Sequence, residues 1–375
     1  MALHRICLLS CDEVVASLGG ASAVYGESAC DDDLLHASLA ARRIAFDVRS
    51  WTDPLVDWSH YVMCVVRTAW DYSLSEARSA EFVKFLDSLE ASGVRVLNGT
   101  HIIRWNASKA YLFELEKCGI SIIPSVVVHP HMLSTSTLAS LLLSSPTQHA
   151  WPAGCDVFIK PLVGGSSRAC LRTRPGDAAS MAAGEAFLSE MLARGCSCPA
   201  SEGMATAVST TTPCRCGTDG VGCSVLVQPF IEGVARGELS VVVIDGAVTH
   251  AVEKVPAAGD FRCQSEHGAI VRRAVCSGEA SDSALRAVAI ARGVCTRRLS
   301  LPAHQHDRDC CDVLFARVDF LRMTDDDGAE HLLLLELELI EPTLYLAQSQ
   351  AGDAARTATA AEALAEAISA RLQCM

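Results

Sequence analysis

The first hundred residues alternate short apolar runs with amphipathic stretches. RICLLS (5–10), IAFDVRSW (44–51), YVMCVVRT (61–68) and VRVLN (94–98) are rich in β-branched and apolar residues and predict strands. DDDLLHASLAARR (31–43) opens with acids and closes with arginines, the charge order that suits a helix dipole. SEARSAEFVKFLDSLEASG (75–93) places Phe82, Phe85, Leu86 and Leu89 on one helical stripe and stops at Gly93. Strands separated by helices predict an α/β fold with a parallel, doubly wound N-terminal domain over residues 1–99.

Beyond residue 100 the pattern shifts towards hairpins. A helix is predicted over 108–119, followed by short strands around 120–128. VFIKPLVGGSSRACLRT (157–173) reads as two strands joined by a Gly-Gly-Ser-Ser loop, and CSVLVQPFIE (223–232) as a buried strand. ELSVVVIDGAVTHAVEKV (238–255) predicts a hairpin turning at Asp245-Gly246. DVLFARVDFLRM (312–323) and HLLLLELEL (331–339) predict another, and helices are expected over 281–298 and 358–372. Segments 131–150 and 195–222 lack periodicity and predict exposed insertions. Shortening 195–222 should cost little, since each doubling of loop length costs only about 0.6 kcal/mol. The implied organisation is 1–99, then 100–230 containing both insertions, then 231–375.

Composition narrows the function. Half of the 375 residues are hydrophobic, enough for a large core, and the formal net charge is −13. Such a surface repels phosphate backbones, so no nucleic-acid partner is expected, and an anionic ligand needs a local basic pocket. No run reaches the ~18 uncharged apolar residues of a membrane span, so no membrane association is expected. The first residues suit neither a secretory signal nor a transit peptide, which predicts a cytoplasmic protein. The 18 cysteines then read as reduced thiols, with Cys7, Cys64 and Cys223 serving as small hydrophobes inside apolar runs.

Against this background a few charges stand out. Only five of the 31 basic residues are lysines: Lys84, Lys109, Lys117, Lys160 and Lys254. Lys160 precedes Gly164, Gly165 and Ser166, a turn whose N–H groups and hydroxyl could cradle a phosphate, although such turns most often only close a hairpin. Asp319 sits within an apolar strand, and Glu336 and Glu338 share one face of the partner strand. Three carboxylates meeting there repel one another unless a cation such as Mg²⁺ lies among them; the other reading is a sheet face in water. Under the metal reading, neutralising any of the three should leave the metal-free protein as stable as before, or more so. The Cys-X-Cys pairs Cys196/Cys198 and Cys214/Cys216 have poor zinc spacing, and His304 and His306 beside Cys310 and Cys311 form a second weak cluster.

Several segments together resemble the ATP-grasp superfamily of carboxylate–amine ligases. They are NGTHIIRWNASKAYLFELEKCGISIIP, FIKPLVGGSSR, LVQPFIEGVARGELSVVVIDG, EKVPAAGDFRCQSEHGA, ARVDFL and LELELIEP, in the order the family has them. Bacterial glutathione synthetase and the ribosomal-protein glutamate ligase are relatives for comparison, and Glu-Leu-Glu-Leu-Ile-Glu-Pro also resembles a cycloserine-forming subgroup. The resemblance implies a lid subdomain and a C-terminal subdomain sandwiching ATP. It implies that Lys109, Lys160, Gly164, Gly165 and Ser166 hold phosphates. Gln228, Pro229, Phe230 and Ile231 would bracket adenine, and Glu238 would hold ribose. Lys254 and Arg262 would sit near the γ-phosphate or the substrate, and Arg317 would neutralise the acyl-phosphate. Asp319, Glu336 and Glu338 would carry two Mg²⁺, with Mn²⁺ as a substitute.

Glu338 stands where many relatives have Asn. VVRTAWDYS resembles the subgroup's N-terminal signature and implies substrate contacts from Arg67 and Asp71. The implied reaction joins a small-molecule carboxylate to an amine or similar nucleophile through an acyl-phosphate, in a chain free to form a homo-oligomer. The alternatives are a catalytically silent nucleotide-binding scaffold and, further off, a cysteine-rich metal-binding protein.

Overall fold

The computed structural model describes residues 5–18, 26–129, 154–165, 168–194, 224–264, 267–298, 310–325, 327–350 and 359–375. The expected insertions 131–150 and 195–222 lie outside the described residues, as do Ser166, Cys223 and the pair His304 and His306. The chain divides into two compact units. Unit 1 is 1–107, 117–120 and 233–375, and unit 2 is 108–116 and 121–232.

Unit 1 begins with the expected parallel sheet. Strands β1 (Arg5–Ser10), β2 (Ala45–Ser50), β3 (Met63–Thr68) and β4 (Arg95–Leu97) lie in the order β2-β1-β3-β4. Its pleat sends alternate residues of β1 into two different cores. Ile6 and Leu8 join Leu35 and Leu39 of α2 (Gly26–Ala41), while Cys7 and Leu9 join Phe82, Leu86 and Leu89 of α3 (Glu76–Ala91). Burying each such large side chain contributes roughly 1.5–3 kcal/mol. A short helix, α1 (Asp12–Ser17), follows β1, and the Ser75 side chain caps α3 by accepting from Arg78 N.

The second sheet of unit 1 is antiparallel, in the order β11-β10-β9-β12-β13. Its strands are β9 (Glu238–Ile244), β10 (Ala247–Val255), β11 (Ile270–Ala274), β12 (Phe315–Thr324) and β13 (Glu330–Glu338). The β9–β10 turn places Asp245 and Gly246 at φ 49° and 78°, the two positive angles that a two-residue hairpin requires. α7 (Gly278–Arg298) and α8 (Ala360–Gln373) are the two predicted C-terminal helices, and α8 opens with a Thr359–Glu362 capping box. Ile6, Leu8, Val242, Phe315 and Leu364 share one core, so residues from 1–99 and 231–375 pack together. α4 (Thr100–Asn106) also belongs here; the sequence pattern did not mark it, nor β11.

Unit 2 is built on an antiparallel sheet, β5-β8-β6-β7, with β5 (Val126–Val128), β6 (Val157–Pro161), β7 (Leu171–Thr173) and β8 (Val225–Pro229). It also carries α5 (Tyr111–Lys117) and a helix the sequence reading missed, α6 (Ala178–Arg194). α6 has a legible start, since Asp177 accepts from the N–H groups of Ala179 and Ser180. Gly184 interrupts its apolar stripe because the helix passes Thr173 closely, and a Cβ there would come within 3.0–3.1 Å of that side chain. Among the described residues no helix is long and apolar enough to cross a membrane.

Candidate active site

In the five-stranded sheet, register brings the charges together. Asp319 pairs with Glu336 on one side and Ser240 on the other, Arg317 pairs with Glu338, and Lys254 pairs with Glu238. Directly paired residues point the same way and the side-chain period is two, so all seven side chains share one face. The apolar residues between them turn to the other side. Val318 and Leu337 are almost wholly buried there.

Asp319 is the hub. Its Oδ1 accepts from Ser240 Oγ at 2.6 Å and from Arg317 Nε at 3.0 Å, and its Oδ2 accepts from Arg317 Nη2 at 2.9 Å. Lys254 Nζ lies 3.4 Å from the same carboxylate and forms a second ion pair with Glu238. Arg317 also bonds Glu338 and donates to Thr343 O at 3.2 Å. Two cations therefore face four carboxylates, leaving the face with an excess of negative charge.

The titration behaviour follows. Burial pushes Glu238 up to about 7, with Asp319's charge adding to the rise and Lys254 opposing it. Burial also pushes Glu338 up to about 7, against Arg317 and with help from Glu336 and Asp319. Its side chain keeps 31% of its surface, so solvent tempers that rise. Burial acts on Asp319 in the same direction, yet Arg317, Lys254 and the Ser240 hydrogen bond hold it well below the ordinary carboxylate range. Lys254 and Arg317 resist burial for the same reason and stay protonated beside Asp319.

This geometry corrects one sequence expectation. Neutralising Asp319 does not relieve crowding, because it strips two buried cations of their shared partner. Relief is expected only at Glu336 and Glu338. The bland reading of these acids as a wet sheet face also fails for Asp319, which is 2% exposed.

Two residues outside the expected set hold the edge strand in place. Asn106, at the end of α4, donates to Leu337 O at 2.8 Å and accepts from Leu339 N at 2.9 Å, bracketing Glu338. Asn98 bonds Phe315 O, Leu339 O and Leu314 N. Their amides substitute for a neighbouring strand. Ser240 had a sequence signal, a polar residue two positions after Glu238 in an apolar strand. The asparagines had none.

In unit 2, Lys109 N donates to Leu162 O at 2.9 Å and its Nζ to Gly164 O at 2.6 Å, which ties the ammonium to the glycine turn. Lys160 on β6 is 6% exposed and stands directly before that turn. At the end of β8, Gln228 Nε2 donates to Ser125 Oγ at 2.8 Å, and Phe230 N donates to Asp156 O at 2.7 Å. Arg172 lies over the Phe230 ring, 3.6 Å from its centroid, and Pro229 and Ile231 flank it.

The remaining expected residues are engaged by other partners. Arg262 is held by Asp260 at 2.7 Å. Arg67 is 2% exposed and ion-paired with Asp32 at 3.1 Å. Asp71 accepts from Trp51 Nε1 at 2.7 Å and pairs with Arg78.

The sheets, the charged strand face and the glycine turn together resemble those of ATP-grasp proteins. Residues 208–296 match the RimK-like ATP-grasp domain. Residues 6–98 match the N-terminal domain of the D-cycloserine synthetase DcsG. The cycloserine biosynthesis protein DcsG of Streptomyces lavendulae is 26% identical over 321 residues, spanning 82% of this chain and 85% of that protein. The crystal structure of D-cycloserine synthetase DcsG superposes with a TM-score of 0.69 at 23% identity, covering 98% of this chain and 99% of the other. D-alanyl-alanine synthetase A of Vibrio cholerae O1 biovar eltor gives 0.56 at 13% identity over the whole of both chains. The ATP-grasp ligase PsnB with its minimal precursor gives 0.52 at 15%, covering 98% and 99%.

Proposed function

We propose that this ligase uses ATP and Mg²⁺ to activate a small-molecule carboxylate as an acyl-phosphate, which an amine or similar nitrogen nucleophile then attacks. The observation that carries the reading is the β12–β13 face, where Asp319, Glu336 and Glu338 converge beside Arg317 and Lys254.

The donor set fits a hard divalent ion. It consists of carboxylate oxygens, it is oversupplied with negative charge, and part of it is desolvated. Asp319, Glu336 and Glu338 would hold one or two such ions. When bound, Mg²⁺ supplies countercharge to phosphate oxygens. Arg317 serves as internal countercharge to Glu338, and its guanidinium would turn to a phosphoryl oxygen were the carboxylates neutralised by an ion. Lys254 keeps Asp319 ionised. In unit 2, Lys109 and Lys160 supply compact positive charge beside a glycine turn, suited to phosphate. Pro229 and Ile231 offer apolar surface for a base, and Gln228 and Phe230 fix the end of β8 between them.

No side chain need act as a covalent nucleophile. Positioning and electrostatics do most of the work, as in other phosphoryl transfers. The likeness to a cycloserine synthetase favours an amino-acid-derived substrate, with Arg67 and Asp71 in the domain that contacts it. Buried and paired as they are, they shape that region from beneath rather than from an open surface.

The test is ADP release from ATP and Mg²⁺ across a panel of D- and L-amino acids and their O- and N-substituted derivatives. Stimulation at least about tenfold above the substrate-free rate, with an amide or ring-closed product, supports ligation. ATP-analogue binding with no stimulation by any member favours the silent nucleotide-binding reading.

A further inference from the structure

A second cluster of ligating side chains lies in unit 1, away from the carboxylate face. Glu90 near the end of α3, His101 in the first turn of α4 and Cys310 just before β12 each present one ligand atom, and the three atoms lie within 4.8 Å of one another. None of the three serves the ligase site described above.

Main-chain bonds hold the cluster together before any ion arrives. His101 N donates to Cys310 O at 3.0 Å, and Gly99 N donates to Asp312 O at 2.8 Å, tying the start of α4 to the Cys310 segment. The Glu90 carboxylate is oriented as well. Its Oε2 accepts from Arg104 Nη2 at 2.7 Å, while Oε1 accepts from Thr100 Oγ1 and, at 3.4 Å, from Cys310 Sγ. Arg104 thus grips one oxygen and leaves the other turned towards the thiol, the arrangement of an outer partner that aims a carboxylate ligand. Beside the cluster is a cavity of about 140 Å³ lined by His101, Arg104, Trp105, Cys295 and Arg298.

We infer that Glu90, His101 and Cys310 form a binding site for a zinc-class divalent cation, separate from the magnesium site of the ligase. One thiolate, one imidazole and one carboxylate suit a borderline-soft ion that accepts sulfur, nitrogen and oxygen together. Magnesium takes oxygen ligands and does not compete for such a set. Ligand atoms around a tetrahedral zinc stand roughly 3.3–3.8 Å apart, so small rotamer changes close the set. On binding, the Cys310 thiol releases its proton to solvent and Glu90 Oε1 exchanges its thiol hydrogen bond for the ion. Three protein ligands leave a fourth position for water or a small donor. The ion would staple α3, the lead-in to β12, and α4, the helix that ends at Asn106.

The full-length protein is equilibrated with ZnCl₂, dialysed, and its zinc measured; cobalt is then substituted and its absorption recorded. One zinc per chain is expected, unaffected by millimolar Mg²⁺, together with a sulfur-to-cobalt charge-transfer band. Cys310→Ser removes that band. His101→Ala and Glu90→Gln each weaken affinity at least about tenfold. Far-ultraviolet circular dichroism identifies any variant that fails to fold, and Cys310→Ser is the near-isosteric one on which the conclusion rests. A Cys214→Ser/Cys216→Ser variant keeps both zinc and band. Absence of stoichiometric zinc in wild type overturns the assignment. So does an undiminished cobalt band in Cys310→Ser, which would place the metal on other cysteines.

Discussion

The carboxylate face of unit 1 and the glycine turn of unit 2 manage charge in opposite ways. On the face, four acids and two cations stand on paired strands, and register alone fixes which charges meet. Around the turn, Lys109 leans on the Gly164 carbonyl. The first arrangement is short of positive charge and suits a cation. The second offers positive charge and suits an anion. Strands are the better support where several like charges must be held together, because each side chain's direction is set by the ladder. A turn is the better support where backbone N–H groups must approach a ligand.

The sharpest way to break this contrast is Asp319→Asn. Turnover, followed as ADP release, should fall about a thousandfold, because a group positioned for developing charge is lost. The same change should lower the stability of the metal-free protein by roughly 3 kcal/mol, since Arg317 and Lys254 lose their shared partner. Chemical denaturation checks this, and Glu338→Gln should show no such loss.

Lys160→Ala probes the other region. Removing one charge-assisted contact costs roughly 1.5–3 kcal/mol, so binding of a non-hydrolysable ATP analogue should weaken ten- to hundredfold while the melting temperature holds. Unchanged affinity in a folded variant would remove Lys160 from the phosphate site.

Asn106→Ala should have a smaller effect. It leaves Leu337 O and Leu339 N without their partner, which costs roughly 1–3 kcal/mol and loosens Glu338. Calorimetry should show the stability loss. Steady-state kinetics should show a raised magnesium requirement, with no change in the affinity of the metal-free protein for nucleotide.

The smallest effect concerns pH. Glu238 and Glu338 are pushed up to about 7 from an ordinary 4.5. Between those values the folded protein holds protons that the unfolded chain has released. Their contribution therefore falls as pH rises from about 5 to 7 in the absence of metal. Added magnesium should offset this, stabilising more at pH 8 than at pH 5.5 by on the order of 1 kcal/mol once solvent near Glu338 is allowed for. Melting curves at both pH values, with and without Mg²⁺, read it directly.

Much of this was legible in the sequence, for identifiable reasons. β1 and β3 announce themselves as short apolar runs, and the two C-terminal hairpins as paired apolar runs, the first turning at Asp245-Gly246. Asp319, Glu336 and Glu338 stand out as acids in apolar strands. α6 was hidden because alanines and Gly184 blur its stripe, although Asp177 marked its start. β11 was hidden because IVRRA is mostly exposed. Pairing across strands lies beyond any linear pattern. Hence the ion pairs that reverse the expectation for Asp319, and the amides of Asn98 and Asn106 that stand in for a strand, emerge only from the register of the folded chain. The lysines of unit 2 drew notice by their rarity, but their phosphate role rests on family resemblance.

The central claim is that the β12–β13 face holds the magnesium that nucleotide chemistry needs. Titration of a non-hydrolysable ATP analogue, with and without Mg²⁺, into wild type, Glu336→Gln and Glu338→Gln tests it most directly. Magnesium should strengthen binding at least about tenfold in wild type, roughly 1.4 kcal/mol, and both variants should lose that gain while keeping their metal-free affinity. An equal gain in all three proteins would contradict the assignment.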